Sequence, residues 1–321
     1  MENLSEKTGH TPISRILAGG LGMAGSFVLF AAYLVIPPAG IFSGLLAPFP
    51  AAYCRFRYGR PTAVIVIFGA TAAMSALFGV AAGIFYLVQC GLIALMMSEL
   101  LLRGFSATRS IVWTTAANLV LLSGAIVFFT MSSGQSVHLL AVAEIQKSVA
   151  QAIAIYEKSG IKGDELVALK QAMSSAADLV IRLYPALVTI SLIAMAGCNL
   201  ALLRRFAAGF SQTLTIGLFR DYRNPDVLVW GLIAAGFAQL AADPVITTPA
   251  LNVLAILVVL YFLQGLAVLY TVIARQNIAG VLRVGLHIML VLQPYLAALI
   301  ATLGIFDLWG DFRTPRKQEN L

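Results

Sequence analysis

The sequence predicts an all-α protein, a polytopic bundle of eight or nine transmembrane helices that also carries an extracytoplasmic amphipathic helical hairpin. Hydrophobic residues make up 60% of the 321-residue chain and charged residues 11%, with a mean hydropathy of +0.90. A soluble domain, by contrast, is about one quarter charged. Nine apolar stretches have the composition of hydrocarbon-spanning segments, and one polar insert, 132–182, interrupts them. The chain is therefore expected to form one membrane unit.

Each apolar stretch is interpreted as one membrane segment. The polar residues 1–15 precede the first segment, and because no small-residue cleavage site follows it, we interpret that segment as an uncleaved span. The nine predicted segments are 17–36, 39–54, 61–81, 83–102, 111–131, 183–203, 227–241, 251–274 and 281–305.

Basic residues at the segment ends predict the orientation. With the N-terminus in the cytoplasm, the positive-inside rule holds through six segments. The residues it places inside are Arg55, Arg57, Arg60, Arg103, Arg109, Arg204, Arg205, Arg220 and Arg223.

The C-terminus does not fit nine crossings, because Arg313, Arg316 and Lys317 would then lie outside. A re-entrant segment would remove the conflict, and two segments are short enough. One is 39–54, which Pro48 and Pro50 interrupt, and the other is 227–241. Nine crossings are the working interpretation and eight the alternative.

The insert has the periodicity of two helices. Its two apolar stripes are Val142, Ile145, Val149, Ile153 and Tyr156, followed by Leu166, Leu169, Met173, Ala177 and Val180. Turn residues 159–164 lie between the stripes. The chain therefore divides into 1–131, five segments of a bundle; 132–182, the extracytoplasmic hairpin; and 183–321, the C-terminal segments. The hairpin is interpreted either as a cover for the outer surface or as a functional lid.

Several classes of function are not expected. The net charge of +7 comes from residues scattered at segment ends, which does not indicate a nucleic-acid partner. Cys54, Cys90 and Cys198 have no metal-ligand spacing, so neither a metal nor a cofactor is expected. Catalytic motifs such as H-E-x-x-H, G-x-S-x-G and the P-loop are missing from the sequence, and we expect no enzyme.

Polar residues inside the segments are the candidates for a solute pocket, because such groups are costly in hydrocarbon. They are Gln89, Glu99, Asn118, Asn199, Gln264, Arg283, His287 and Gln293. Further amides, Gln239 and Asn252, belong to the same class, whose ordinary task is to hydrogen-bond between helices.

Three residues in this set are ionisable, namely Glu99, Arg283 and His287. Glu99 precedes Arg103 by four residues, so the two can pair on one helix face, and a structural ion pair is preferred to a proton-carrying role. Arg283 and His287 lie one turn apart, and His287 is the intramembrane group that titrates near neutral pH. A hydrogen-bonded packing role is preferred for His287.

Several segments together resemble the YybS-like family of predicted bacterial multi-span membrane proteins. They are Gly44-Leu-Leu-Ala-Pro-Phe-Pro50, Asn224-Pro-Asp-Val-Leu-Val-Trp230, Phe262-Leu-Gln-Gly-Leu-Ala-Val268, Gly304-Ile-Phe-Asp-Leu-Trp309 and Asp311-Phe-Arg313. The first half of that family is similar to the six-helix substrate-binding (S) subunits of energy-coupling-factor transporters. The resemblance implies an outward-opening solute pocket among the first six segments.

Two functions follow from these expectations. The first is a small-solute-binding subunit of transporter type in the bacterial inner membrane. Because the P-loop is missing, transport would need an ion gradient or a separate ATPase partner. The alternative is a non-catalytic scaffold for envelope assembly or cell shape, with the lipid bilayer as its medium and other proteins as its partners.

Overall fold

The computed structural model describes residues 11–207, 210, 216–275, 289, 293–310 and 312–313, and within these residues the regular structure is helical throughout. The helices are α1 Pro12–Val35, α2 Pro37–Leu46, α3 Phe49–Tyr58, α4 Arg60–Phe78, α5 Val80–Leu102, α6 Ala107–Ser133, α7 Val137–Lys158, α8 Gly163–Arg205, α9 Leu228–Ala238, α10 Pro244–Arg275 and α11 Pro294–Gly310. A single 3₁₀ turn, Phe219–Asp221, precedes α9.

Local signals in the sequence set the helix ends. Thr11 caps α1, where its hydroxyl oxygen accepts a hydrogen bond from Ser14 N at 3.4 Å, and Pro12 occupies the first helical position. Gly134 ends α6 in the left-handed conformation, with φ of 66°, and donates its N–H to the Thr130 carbonyl. A side chain with a Cβ would be strained at that position.

Seven helices are long and apolar enough to cross a membrane within the described residues. They are Ile13–Val35, Arg60–Phe78, Val80–Leu102, Ala107–Ser133, Val137–Lys158, Gly163–Arg205 and Pro244–Arg275. The prediction of a multi-pass helical membrane protein is therefore confirmed.

Not every predicted segment corresponds to one long helix. Segment 39–54 is not one helix but part of two ten-residue helices, α2 and α3. Segment 227–241 contains only the eleven-residue α9. The last segment is described only from residue 293, apart from residue 289, and α11 covers its end.

The chain forms two compact units. Unit 1 contains Met1–Leu140 and Ser191–Ile216, and unit 2 contains Ala141–Ile190 and Gly217–Leu321. The division falls at 140/141 within α7, at 190/191 within α8 and at 216/217, so none of its three boundaries coincides with the predicted ones at 131 and 182. The predicted three-part organisation stays a prediction.

Unit 1 is held together by small residues that let helices approach closely. A Cβ on Gly22 of α1 would lie 2.9 Å from Val66 Cγ2 of α4, and one on Gly69 of α4 would meet Met23 of α1. Phe30 and Tyr86 are fully buried and meet edge to face, with their ring centroids 5.2 Å apart. These two glycines thus let α1 and α4 pack closely within the unit.

Unit 2 contains the two facing helices predicted for the insert. Glu157 of α7 pairs with Lys170 of α8 at 2.7 Å across the turn. The stripes face each other across a groove of about 400 Å³ lined by Glu144, Ile145, Ser148, Val149, Met173, Ala176, Ala177 and Val180. The two helices are confirmed, and their extracytoplasmic side stays a prediction.

Pro185 interrupts the hydrogen bonds of α8 inside unit 2, and Asn252 of α10 repairs the interruption. The side-chain oxygen of Asn252 accepts from Ala186 N at 2.8 Å, and its Nδ2 donates to the Arg182 carbonyl at 2.8 Å. A proline removes one helical donor and displaces the preceding turn, which leaves main-chain groups to be satisfied by other groups. Asn252 of α10 therefore supplies hydrogen bonds to the main chain of α8 at the interruption.

The remainder of unit 2 is built on α10. Helix α9 runs antiparallel to it, because Gln239 at the end of α9 donates to the Thr247 carbonyl near the start of α10. Helix α11 runs in the same direction as α10. Gln264 reaches Asp307, and Arg275, further along α10, reaches the Phe312 carbonyl just after α11.

Candidate functional site

The break between α2 and α3 is the main irregularity in the backbone of unit 1. Helix α2 ends at Leu46 and α3 begins at Phe49, and both residues between them, Ala47 and Pro48, are buried. Pro48 and Pro50 carry no N–H, so they remove two donors that would continue the helical hydrogen bonds. The break therefore leaves main-chain carbonyl oxygens without helical partners in the interior of the unit.

Two polar side chains from neighbouring helices satisfy carbonyls at this break. Ser26 of α1 donates its hydroxyl hydrogen to the Ala47 carbonyl at 3.0 Å. Asn199 of α8 donates Nδ2 to the Leu45 carbonyl at 2.8 Å and to the Met195 carbonyl at 2.6 Å. Ser26 and Asn199 are both 0% exposed. A buried carbonyl left unpaired there would cost about 1–3 kcal/mol, so these side chains permit the break.

The break also has unused hydrogen-bonding capacity. Asn199 Oδ1 is buried and makes no hydrogen bond to the described part of the chain, and the buried Tyr86 hydroxyl has Ser26 as its neighbour for hydrogen bonding. Tyr86 lies beside Ser26, which itself binds the Ala47 carbonyl. Buried polar atoms in native proteins are nearly all paired. One acceptor and one hydroxyl are therefore available to a polar ligand next to the broken helix, and we call this region, formed by Ser26, Leu45, Ala47, Tyr86 and Asn199, the break site.

A second irregularity lies in α5, which contains two π-helical turns, Leu87–Gly91 and Ile93–Met97. Asn118 of α6 is 1% exposed and donates Nδ2 to the carbonyls of Val88 at 3.1 Å and Gln89 at 3.3 Å. A π-helical turn is often found at a functional site, because its altered pattern frees main-chain groups. Asn118 thus satisfies main-chain carbonyls of a neighbouring helix. Its contact with Gln89 is to the Gln89 carbonyl and not to the Gln89 side chain.

Glu99 forms its ion pair with a different helix from the one predicted. Its Oε1 lies 2.9 Å from Arg55 Nε of α3 and 4.0 Å from Arg60 Nε of α4. The predicted partner, Arg103, lies at the C-cap of α5 and is exposed. The i,i+4 spacing correctly indicated that Glu99 forms an ion pair, but it gave the wrong partner. Arg55 of α3 is distant from Glu99 in the sequence but lies close to it in the fold. The contact joins segment ends that the positive-inside rule places on one side of the membrane.

Unit 2 contains a polar network around a buried carboxylate. Asp307 of α11 is 2% exposed, accepts a hydrogen bond from Gln264 Nε2 at 3.0 Å and lies 2.9 Å from Arg313 Nη2. Gln264, itself 0% exposed, accepts the main-chain N–H of Asn224 at 3.0 Å. The network therefore ties the loop before α9 to α10 and to the end of α11.

Two further hydrogen bonds of Asn224 hold the loop before α9 in this network. Asn224 Nδ2 donates to the Leu260 carbonyl at 2.9 Å, and the Tyr222 hydroxyl donates to Asn224 Oδ1 at 2.7 Å. Burial raises the pKa of Tyr222 to about 12, so its hydroxyl remains a neutral donor at physiological pH.

The predicted site residues differ in where the structure places them. Gln293 is exposed at the start of α11, and Arg283 and His287 lie outside the described residues. Gln89 and Asn118 meet, Asn199 lies at the break, Glu99 joins Arg55, and Gln264 belongs to unit 2. Within unit 1, the described candidates take part in three separate contacts.

The sequence reasoning missed Asp307, Asn224 and Arg313 as site residues. A usable signal was present, because Asp307 is the one carboxylate in an otherwise apolar segment. The segments that carried the family resemblance also contained all three residues, together with Gln264. In the structure these four residues form one network.

The chain is similar to one described family. The sequence profile of the family described as Predicted membrane protein (DUF2232) matches residues 24–308, which is most of the chain. No curated protein and no solved structure matches the chain significantly.

Proposed function

The chain belongs to the DUF2232 family of predicted membrane proteins, and we propose that it is a non-catalytic, multi-pass protein of transporter type that binds a small solute in unit 1. The proposed location is the bacterial inner membrane, with the N-terminus in the cytoplasm. A YybS-like identity, and a likeness of the first six segments to S subunits of energy-coupling-factor transporters, belong to the same proposal.

The break site is the observation that carries this proposal. Transporters commonly form their solute sites at discontinuous helices, where main-chain groups released from the helix face a cavity or a ligand. Here α2 and α3 are interrupted at a buried position, and Asn199 Oδ1 and the Tyr86 hydroxyl retain bonding capacity beside the interruption. A small solute with both a donor and an acceptor matches this pair of groups.

Energy for transport would come from elsewhere, because the sequence holds no P-loop. An ion gradient or a separate membrane or ATPase subunit would supply it. Gln89 and Asn118 extend the proposed solute-facing set in unit 1, while Glu99 has a structural role with Arg55.

The contacts of unit 2 support a cytoplasmic C-terminus. Arg313 Nη1 donates to the Arg220 carbonyl at 3.0 Å, and Arg275 donates to the Phe312 carbonyl, so these three arginines lie at one end of the unit. If the loop containing Arg220 is cytoplasmic, an even number of crossings separates it from Arg313. The positive-inside rule is then satisfied at the C-terminus by an even number of crossings, whereas nine crossings would violate it.

The pair α7 and 163–182 is proposed to cover the outer surface. Helix α8 has 43 residues and is therefore about 64 Å long, roughly twice the hydrocarbon thickness. Its apolar part, 183–203, is sufficient for one crossing, so the preceding residues are proposed to lie outside the hydrocarbon. Ion pairs on this part, such as Glu157 with Lys170, are compatible with water.

A thermal-shift screen of the purified full chain tests the proposal. The panel contains vitamins, nucleobases, lipid precursors and monovalent ions. A ligand at about 100 times its dissociation constant stabilises the folded state by about 2.7 kcal/mol, which raises the unfolding midpoint measurably. One chemical class of stabilising ligands supports the proposal, and a complete absence of stabilisation contradicts it.

The second candidate function is a scaffold for envelope assembly or cell shape. The groove between α7 and α8 favours it, since α7 has no buried residue and the groove is apolar at its centre. Crosslinking from a photoreactive residue at Ala176 would recover a stoichiometric protein partner if the scaffold is correct. Failure to recover any partner would contradict it.

A further inference from the structure

Four arginines from three segments lie at one end of unit 2, and we call them the arginine end. Arg220 and Arg223 precede α9, Arg275 ends α10, and Arg313 follows α11. Main-chain carbonyls fix three of the guanidinium groups. Arg313 Nη1 donates to the Arg220 carbonyl at 3.0 Å, Arg223 Nη2 to the Leu308 carbonyl at 3.4 Å and Arg275 Nη1 to the Phe312 carbonyl at 3.5 Å.

These contacts leave most of the donor capacity of the arginines unused. A guanidinium has five N–H donors, and each contact to a carbonyl uses one of them. The carboxylates of Asp221 and Asp226 lie 3.9 Å from Arg220 and 3.7 Å from Arg223, and both acids are mostly exposed. Exposed ion pairs of this kind contribute little, about 0–1 kcal/mol, so an anion with better geometry can displace them.

Arg313 differs from the other three because its charge is balanced inside the protein. It lies 2.9 Å from the buried Asp307 and is itself only 16% exposed. The pair positions Arg313 and, through it, the Arg220 carbonyl. Arg220, Arg223 and Arg275 are therefore the groups that face outward for a ligand.

Aromatic side chains surround these outward-facing arginines. The rings of Phe219 and Tyr222 are stacked with centroids 6.2 Å apart, and Phe219 also meets Tyr270. Trp309 and Phe312 are exposed large side chains at the same end. Aromatic residues beside arginines are typical of the headgroup level of a membrane, where an apolar ring and a charged group reach different depths.

We propose that the arginine end binds the phosphate group of an anionic phospholipid. Guanidinium groups match the geometry of phosphate oxygens through paired N–H donors, and the exposed aromatic rings accommodate the lipid's glycerol and upper acyl region. The rings favour a lipid over free phosphate as the source of the phosphate group. The site is separate from the break site and does not depend on the solute-binding function.

The test measures the thermal midpoint of the detergent-purified full chain during titration with phosphatidylglycerol, phosphatidylcholine or inorganic phosphate. Phosphatidylglycerol is expected to stabilise the protein more strongly than either of the other two. The preference should decrease at high salt, because ions screen exposed charges. Equal stabilisation by inorganic phosphate would overturn the lipid as the source, and a preference unchanged by salt would overturn the arginines as its cause.

Double variants identify the residues that cause the preference for phosphatidylglycerol. The double substitution R223Q/R275Q is expected to weaken phosphatidylglycerol binding roughly 30-fold, since each basic residue near an anionic headgroup contributes roughly a five- to sixfold gain. R109Q/R205Q removes the same charge from unit 1 and should bind as the wild type does. R223K/R275K keeps the charge but loses the paired N–H donors, so it should bind more weakly than the wild type and more strongly than R223Q/R275Q. Unchanged binding by R223Q/R275Q, or equal weakening by both glutamine pairs, would overturn the site.

Discussion

The break in unit 1 and the loop before α9 in unit 2 are stabilised in opposite ways. At the break in unit 1, neutral side chains donate single hydrogen bonds to released carbonyls, as Ser26 does for Ala47 and Asn199 for Leu45. In unit 2, the loop before α9 is attached through a charged network in which Asp307 meets both Gln264 and Arg313. The two regions therefore differ in the charge of the groups that secure the chain.

The difference indicates which region is suited to exchange a ligand. A neutral donor contributes a modest hydrogen bond, about 0.6 kcal/mol on average between membrane helices, and can change partners at low cost. Separating a buried ion pair leaves an uncompensated charge and costs far more. Unit 1 therefore fits a site that opens and closes, and the Asp307 network fits a permanent attachment.

Removal of the Asp307 carboxylate has the largest expected effect. Asp307→Ala leaves Arg313 largely buried without its partner and removes the acceptor for Gln264. We expect the free energy of unfolding to fall by about 3 kcal/mol, measured by thermal unfolding in detergent. Asp221→Ala removes an exposed carboxylate and should change it by less than about 1 kcal/mol. Equal stability of the two variants would contradict the role of the Asp307 network as a permanent attachment of the loop.

Crowding of the α10–α11 contact should have the next largest effect. A methyl group on Gly265 would overlap the Ile300 carbonyl oxygen, and a helix backbone cannot move aside as a flexible side chain does. Gly265→Ala is expected to destabilise unit 2 by about 2 kcal/mol in the same unfolding measurement. Gly236→Ala in α9 is the matched control, since nothing lies within 4 Å of its Cβ position. It should be neutral or slightly stabilising, and a Gly265 variant that behaves in the same way would refute the close packing.

Loss of the Asn199 amide should have a smaller effect. Asn199→Leu keeps the side-chain size but leaves the Leu45 carbonyl without its donor. The expected loss is about 1 kcal/mol, because one neutral hydrogen bond is removed in the interior. Thr189→Val removes a hydroxyl that bonds only the Pro185 carbonyl of its own helix. If the two variants unfold at the same temperature, Asn199 does not secure the break.

The sequence was sufficient for the helical class and for the position of most irregularities. Apolar segments are readable because hydrocarbon requires about 20 apolar residues in a row. Pro48 and Pro50 marked segment 39–54 as interrupted, and α2 and α3 meet there. The amides Asn118, Asn199 and Asn252 were recognised as polar groups at buried depth, and each binds main-chain carbonyls across helices.

The contacts between residues of different helices could not be predicted from the sequence in the same way. Glu99 was assigned to Arg103 by helical spacing, whereas the fold brings Arg55 nearer from 44 residues away. Asp307 was not recognised because its partner Gln264 lies 43 residues upstream, and one sequence does not show which helices are adjacent. Gln89 and Asn199 were candidates for a solute pocket, and this stays a prediction, because convergence of side chains depends on packing that periodicity does not encode.

The most direct test of the central claim is the ligand-induced thermal shift in matched variants of the two units. Asn199→Leu alters the break site of unit 1, and Gln239→Leu removes a comparable amide from unit 2, where it donates to the Thr247 carbonyl. We predict that the stabilising solute class found with the wild type also stabilises Gln239→Leu and fails to stabilise Asn199→Leu. The same stabilisation in Asn199→Leu as in the wild type would contradict a solute site at the break.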